Sequence, residues 1–211
     1  VTVLPAGTQT LSVTFTPTDS SDYSTQTATV TMVVNKAPLS VTPNNASKTY
    51  GTVNPAFTGS IVGLVNGDTI TVTYGSGATT STVVGVYSTG VAAIAATLSD
   101  SGNKLPNYTL TQNLGTLTIT QATTTLTWAT PAPITYGSPL STTQLDATSG
   151  GVAGSFAYTP AAGTVLPAGS QLLSVTFTPT DGADYSAANA TVTLTVNKAP
   201  LTVTPNPASK V

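Results

Sequence analysis

The sequence VVNKAPLSVTP at positions 33–43 returns almost unchanged as TVNKAPLTVTP at positions 195–205. The two stretches lie 162 positions apart, and an ungapped alignment of residues 1–49 with residues 163–211 gives 36 identities in 49 positions. Self-similarity at a fixed period is typical of tandem domain arrays. The 211 residues are therefore expected to be a window on such an array, containing about one and a third repeats.

The residues before this stretch have the period-two pattern of β-strands. Leu11, Val13 and Phe15 alternate with Ser and Thr, and residues 28–34 alternate in the same way. Such alternation predicts two half-buried strands, and the Pro- and Asp-containing turn at 17–22 predicts a hairpin. No stretch has helical spacing for more than about one turn. The sequence therefore predicts an all-β chain of tandem small domains.

These patterns predict four parts. Residues 1–36 are expected to form the C-terminal part of a sandwich domain, residues 37–121 a different complete domain, residues 122–199 a complete sandwich, and residues 200–211 the start of the next copy of the first domain type. Short strands with turns about every ten residues are typical of β-sandwiches. Because a lone hairpin is at best marginal in water, residues 1–36 are expected to need strands supplied from elsewhere.

The junctions between these parts are short and contain no glycine. The predicted junction residues are Asn35, Lys36, Ala37 and Pro38, then Thr120, Gln121 and Ala122, and then Asn197, Lys198, Ala199 and Pro200. Proline fixes its own φ and favours an extended conformation in the residue before it. The junctions are therefore expected to be stiff, and the domains to be arranged as an extended rod.

Charged residues are rare, with five Lys, seven Asp and no Arg, Glu, His or Cys. Nucleic-acid binding is not expected, because phosphate contacts depend on clustered Lys and Arg. Catalysis is not expected either, because the usual triads, zinc sites and oxyanion clamps need residue types that are missing. No apolar stretch approaches the roughly 20 residues of a spanning helix, so this segment is expected to make no membrane contact. We predict no catalytic and no cofactor-binding residue.

Two equivalent turns carry paired carboxylates. Asp19 and Asp22 recur as Asp181 and Asp184, so two oxygen donors appear once per repeat. Calcium takes six to eight oxygen ligands, and two carboxylates with neighbouring hydroxyls and carbonyls are weak candidates for such a site. The alternative is that the first Asp of each pair caps its own turn through Asx-type hydrogen bonds.

Three aromatic residues are candidates for sugar stacking. They are Trp128 and the tyrosines of two Tyr-Gly pairs, Tyr50 and Tyr136. Aromatic residues at strand spacing usually belong to a core, and a Tyr before a Gly is commonly a turn anchor. The core assignment is therefore favoured over the ligand-binding one.

The motifs of two parts also resemble known families. Residues 37–121 contain Ala37-Pro38-Leu39, Lys48-Thr49-Tyr50-Gly51, Leu64-Val65-Asn66-Gly67-Asp68, Gly85-Val86-Tyr87, Asn107-Tyr108-Thr109 and Gly115-Thr116-Leu117-Thr118-Ile119. This part resembles the MBG repeat of the YGX type found in large bacterial surface proteins, which implies a mostly β, β-grasp-like domain. Residues 122–199 contain Ile134-Thr135-Tyr136-Gly137, Pro167-Ala168-Gly169 and Phe177-Thr178-Pro179-Thr180-Asp181. This part is similar to bacterial immunoglobulin-like repeats, and neither resemblance implies a functional residue.

The functional hypothesis that follows is structural. The chain is expected to be a tandem-repeat stalk of a bacterial extracellular adhesin-like protein or surface filament, located outside the cell or on its surface. The alternative is a module that binds glycans or host proteins. Because charges protect strand edges and are scarce here, association with neighbouring repeats or with copies of the chain is also expected, including completion of residues 1–36 by a neighbouring chain.

Overall fold

The alternating pattern of the sequence forms strands throughout the chain. A computed structural model describes residues 2–210, in which regular structure is β apart from one 3₁₀ turn, Leu105–Asn107. This confirms the all-β prediction. The chain divides into two compact units, the first ending at Ile119 and the second beginning at Thr120. No helix among residues 2–210 is both long and apolar enough to span a membrane.

The first unit begins with the predicted hairpin. Strands β1 (Gly7–Phe15) and β2 (Gln26–Val34) are antiparallel, and their register runs from Gly7 opposite Val34 to Phe15 opposite Gln26. Among the described residues these two strands form a sheet of their own. The hairpin prediction is confirmed, and the apolar side chains of β1 remain exposed.

The rest of the first unit contains eight short strands among its described residues. They are β3 (Ala37–Pro43), β4 (Ala46–Thr49), β5 (Gly59–Val62), β6 (Thr71–Gly75), β7 (Gly85–Tyr87), β8 (Ala95–Ser99), β9 (Tyr108–Gln112) and β10 (Leu117–Thr120). They pair as β5-β3-β9, β4-β10-β7 and β6-β8, and the β3–β9 pair is parallel. Leu39 and Tyr108 anchor one hydrophobic cluster, and Ile94, Leu117 and Ile119 anchor another.

The second unit is organised around two long antiparallel strands. Its strands are β11 (Ala122–Thr123), β12 (Ile134–Thr135), β13 (Gly154–Thr159), β14 (Gly169–Pro179), β15 (Tyr185–Ser186) and β16 (Ala188–Asn197). One sheet has the order β12-β16-β14-β13, and β11 pairs with β15. The core members are Leu140, Leu145, Leu166, Leu173, Leu194 and Val196, with Trp128, Ile134, Tyr158 and Val192 packed against them.

The apolar pattern also predicts strands at Val84 to Ala93, at Leu140 to Ala147 and at Leu126 with Trp128, and this prediction is wrong for residues 91–93, 140–147 and 126–128. Residues 91–93 form a turn in which Ser76 Oγ donates to Ala92 O at 2.7 Å. Residues 140–147 form a turn in which Leu145 N donates to Ser141 O at 3.0 Å. The segment at Leu126 and Trp128 forms only an isolated bridge, Thr127 to Thr148. The side chains are apolar as predicted, but the backbone makes a local turn bond at Leu145 and single contacts with more distant segments at Ala92 and Thr127 instead of a strand ladder.

The repeated stretch itself has two structures. Residues 37–43 form β3, whereas residues 199–205 form no strand, and Leu201 is 91% exposed although Leu39 is 1% exposed. In the first copy, β5 and β9 flank β3 and pair with it along its backbone. No strand among the described residues pairs with 199–205, so nearly the same sequence stays irregular there.

Candidate functional site

The first junction joins β2 to β3 through Asn35 and Lys36 alone. A hollow of about 300 Å³ lies beside it, and residues from both sides line it, among them Pro5, Ala6, Val34, Asn35, Ala37, Asp68, Lys104 and Asn107. Ala6 N donates a hydrogen bond of 2.9 Å to Asn107 Oδ1. This bond joins the segment before β1 to the 3₁₀ turn before β9, so the two sides of the junction are connected by more than the backbone.

A buried tyrosine organises the side of the hollow formed by residues 65–108. Tyr108 Oη donates to Asp68 Oδ2 at 2.8 Å and accepts a hydrogen bond of 3.0 Å from Val65 N. Lys104 Nζ lies 4.0 Å from Asp68 Oδ1. Burial raises the pKa of Tyr108, and the hydrogen bond to Asp68 acts in the same direction. The Tyr108 hydroxyl thus has its hydrogen-bond partners inside the domain, which indicates a structural role for this residue.

The 3₁₀ turn that carries Asn107 is fixed by one carboxylate. Asp100 accepts hydrogen bonds from Lys104 N at 2.9 Å and from Leu105 N at 2.7 Å. These backbone donors hold the pKa of Asp100 below its ordinary value. Because the turn is held in this way, the Asn107 side chain is positioned to accept the hydrogen bond from Ala6.

The second junction has a single residue, Gln121, between β10 and β11. Gln121 Nε2 donates to Gly182 O at 2.8 Å, and Ala122 N donates to Asp184 O at 2.9 Å. Thr120 is the last residue of β10. The backbone and side chain of residues 121 and 122 are therefore bonded to the turn before β15.

The third junction begins where β16 ends, at Asn197. Lys198, Ala199 and Pro200 are exposed, and they line an open hollow of about 430 Å³ together with Tyr136, Pro167, Ala168 and Leu201. Pro167 and Ala168 are the repeat equivalents of Pro5 and Ala6. Pro5, Ala6 and Ala37 line the first hollow, and their equivalents Pro167, Ala168 and Ala199 line the hollow at the third junction.

The paired carboxylates lie in turns that use them locally. Asp19 Oδ1 accepts hydrogen bonds from Ser21 Oγ at 2.7 Å, Ser21 N at 3.2 Å and Asp22 N at 3.3 Å. The pKa of Asp19 is lowered, first by the Ser21 hydroxyl and then by the Asp22 amide. This geometry matches the turn-capping alternative.

The second copy repeats the capping arrangement. Asp181 Oδ1 accepts a hydrogen bond of 3.1 Å from Asp184 N, and Asp184 is buried. Within residues 2–210, no three His, Cys, Asp or Glu side chains come close enough together to hold a metal ion. The four aspartates are thus turn residues, and among the described residues no third acidic side chain joins either pair as a calcium ligand.

Two of the candidate aromatic residues belong to cores. Trp128 packs edge to face on Tyr158 at a centroid distance of 5.4 Å, and its Nε1 donates to Gln144 O at 3.0 Å. Tyr50 packs against the cluster of Ile94 and Leu117. Tyr136 is 54% exposed and is the aromatic residue of the hollow at the third junction.

Sequence reasoning missed a buried cation. Lys48 is 7% exposed, and its Nζ donates to Thr79 O at 2.6 Å and to Thr52 O at 3.1 Å. The Lys-Thr-Tyr-Gly motif therefore uses its Lys to bridge two loops. Its position two residues after the apolar Ala46 in a short strand could have indicated that its side chain points inward.

Some of these features lie in a domain that matches a known family. Residues 39–118 match the family model of the MBG domain (YGX type). The resemblance noted for residues 37–121 is thereby confirmed over that range, which includes the Tyr108 and Lys48 groups of the MBG domain. No curated protein sequence matches the chain. Among solved structures, the chain is similar to the crystal structure of Drosophila N-cadherin EC1-4, with 13% identity and a TM-score of 0.28, covering 93% of this chain and 60% of that chain.

Proposed function

We propose that the chain is part of a structural stalk, a tandem-repeat segment of a bacterial extracellular adhesin-like protein or surface filament in which MBG domains alternate with immunoglobulin-like domains. The observation that best supports this proposal is the shortness of two junctions. Two residues separate β2 from β3, and one residue separates β10 from β11. Such connections restrict domain motion far more than a flexible linker does. The MBG match of residues 39–118 supports the placement at a bacterial surface.

A stalk keeps the parts of a protein at its two ends apart, which requires stable contacts between neighbouring domains. Nearest-neighbour contacts stabilise linear repeat arrays. At the first junction the hydrogen bond from Ala6 N to Asn107 Oδ1 supplies one such contact within the first unit. The proposal includes no catalytic step, which is consistent with a chain that has no His, Cys, Arg or Glu.

Small-angle X-ray scattering tests the stalk directly. A lengthened protein carrying residues 1–162 once more ahead of Val1 adds one full repeat without a linker, because Val1 is the repeat equivalent of Gly163. The long strands β1, β2, β3, β14 and β16 have 7 to 11 residues. At about 3.3 Å per residue plus loops, each domain should be roughly 35–45 Å long, so the two domains of an added repeat should increase the maximum dimension by roughly 80 Å. An increase in maximum dimension of less than about 20 Å is expected if the added repeat packs into a compact globule, and it would contradict the stalk function.

The alternative function, binding of glycans or host proteins, has one supporting observation. Tyr136 is exposed in the open hollow with Pro167, Ala168 and Leu201. Aromatic platforms for sugars usually need a planar exposed ring, and Trp128 is not one, since it is packed against Tyr158. A glycan array with the wild-type chain and Tyr136→Ala distinguishes the two: signal that depends on Tyr136 would favour the binding module.

A further inference from the structure

The hairpin β1–β2 has an apolar face that nothing in the first unit covers. Val13 is 66% exposed and Phe15 is 67% exposed. The same face continues with Leu11, Val30 and Met32, which are also exposed. A contiguous apolar patch of this kind on a protein surface marks an interaction site.

The internal repeat shows what this face looks like when it is covered. Val175 and Phe177 are the equivalents of Val13 and Phe15, and they are 1% and 0% exposed. In the second unit the equivalent hairpin, β14 with β16, contributes Leu173, Val192, Leu194 and Val196 to the core, and Leu166, just before β14, joins them. Their counterparts in the first copy are Leu4, Leu11, Val30, Met32 and Val34.

The other half of that core comes from residues 122–162. Its members are Trp128, Ile134, Leu140, Leu145 and Tyr158. The two halves are in direct contact, since the ring centroids of Phe156 and Phe177 lie 4.8 Å apart. Every apolar position of the covered face is conserved in chemical type in the hairpin, since the only change is Leu194 to Met32.

Among residues 2–210 neither edge of the hairpin pairs with another strand, and the repeat identifies a partner for each edge. In the second unit, β13 pairs antiparallel with β14, with Phe156 opposite Phe177 and Tyr158 opposite Val175. Transferred to the first copy, this register places Phe156 opposite Phe15 and Tyr158 opposite Val13.

The second edge has an equally specific partner. In the second unit, β12 pairs parallel with β16, with Ile134 opposite Val196, and Tyr136 N donates to Asn197 O at 2.8 Å. The transferred register places Ile134 opposite Val34 and Tyr136 beside Asn35, which lines the hollow of about 300 Å³ at the first junction. The apolar face of the hairpin, its two edges and the hollow at the first junction are therefore all compatible with one occupant, a segment like residues 122–162.

We propose that the hairpin β1–β2 is an acceptor for a segment with the sequence of residues 122–162. The occupant is not an intact second copy of this chain, because in such a copy the segment is already packed against β14 and β16. This inference is independent of the stalk function, since it concerns only what completes the hairpin.

The test uses the full 211-residue chain and a fluorescently labelled peptide of residues 122–162. We expect saturable 1:1 binding by fluorescence anisotropy, together with slower amide hydrogen exchange in β1 and β2. A second arrangement fuses residues 122–162 directly ahead of Val1, which reproduces the native connection from Ala162 to Gly163. It should give the same protection of β1 and β2, and it decides the question if the free peptide is insoluble.

Matched variants locate the binding site. Phe15→Asp should weaken peptide binding by roughly 100-fold or more, as expected for a central aromatic anchor. Thr14→Asp should leave it nearly unchanged, because Thr14 lies on the opposite face and its equivalent Thr176 is exposed. The peptide variant Gly154→Ala should also bind more weakly, because its Cβ would overlap the ring of Phe177, the equivalent of Phe15.

Three results would overturn the proposal. The first is an absence of added protection in β1 and β2 with both the peptide and the fused segment. The second is peptide binding that Phe15→Asp does not change, which would indicate exchange into the second unit. The third is a dimer of the chain that Phe15→Asp dissociates and the peptide does not, since the occupant would then be the hairpin of a second copy.

Discussion

At the residue scale, a few polar side chains hold loops that the apolar pattern leaves unspecified. Lys48 is the clearest case, because its Nζ donates to Thr79 O and Thr52 O from a buried position. Lys48→Met keeps the apolar stem but leaves both carbonyls without this donor. We expect the first unit to lose about 1–3 kcal/mol of unfolding free energy. Lys36→Met, at an exposed lysine, is the control and should change stability by less than about 0.5 kcal/mol in urea titrations.

Tyr108 gives the first unit a dependence on alkaline pH. Its pKa is raised by burial and by Asp68, so the folded state keeps the phenol proton at a pH where the unfolded chain releases it. Stability from this group is therefore complete below about pH 10, the ordinary tyrosine value, and is lost as pH rises through the folded pKa.

Tyr108→Phe tests this dependence by scanning calorimetry at several pH values. The variant should be less stable at pH 7 by about 1–2 kcal/mol, because Asp68 and Val65 lose a hydrogen-bond partner. It should also lose less stability than the wild type between neutral and alkaline pH. Tyr23→Phe, at an exposed tyrosine, is the comparison, and an unchanged alkaline slope in Tyr108→Phe would contradict the assignment.

At the element scale, the pairing of β13 with β14 depends on one glycine. A Cβ at Gly154 would overlap the Phe177 ring and Thr178 O. Gly154→Ala should therefore destabilise the second unit by about 1–3 kcal/mol, through strain in a packed site. Gly182→Ser is the matched control, since nothing lies within 4 Å of a Cβ there and Ser20 occupies the equivalent position. Trp128 fluorescence during urea unfolding reports the difference; equal midpoints for the two variants would contradict it.

The two hairpins are the same element in different surroundings, and hydrogen exchange should separate them. The amides of β14 and β16 are covered by β12, β13 and the core around Leu173, whereas β1 and β2 pair only with each other. Local opening is cheap where few apolar contacts are buried, so we expect β1 and β2 to exchange on the order of 100-fold faster or more than β14 and β16. Equal protection in the two hairpins would mean that the exposed face is covered by something in solution.

At the scale of the whole molecule, low charge should make stability nearly independent of salt. The sequence has five Lys and seven Asp, and Lys104 and Asp68 are 4.0 Å apart at the edge of ion-pair distance. Screening weakens only charge interactions, so raising NaCl from about 0.05 M to about 0.5 M should change the unfolding free energy by less than about 1 kcal/mol. Thermal unfolding at the two salt concentrations measures this, and a larger shift would indicate a charge network that the individual contacts do not reveal.

The sequence by itself determined the all-β class and the hairpins, because alternating apolar residues and turn residues act locally. It also determined the repeat, because the period of 162 residues is evident from the sequence alone. It also identified the MBG domain from its motifs. The strand prediction failed at residues 91–93 and 140–147, where the side chains are apolar but the backbone forms turns instead of a strand ladder.

Only the tertiary structure showed which copy of a repeated sequence is paired and covered among residues 2–210. Residues 37–43 are a strand and residues 199–205 are not, and Phe15 is exposed while Phe177 is buried. The physical reason is that a strand gains its hydrogen bonds and its buried area from partners far away in the chain. Nearly identical stretches of sequence therefore have different structures where their strand partners differ.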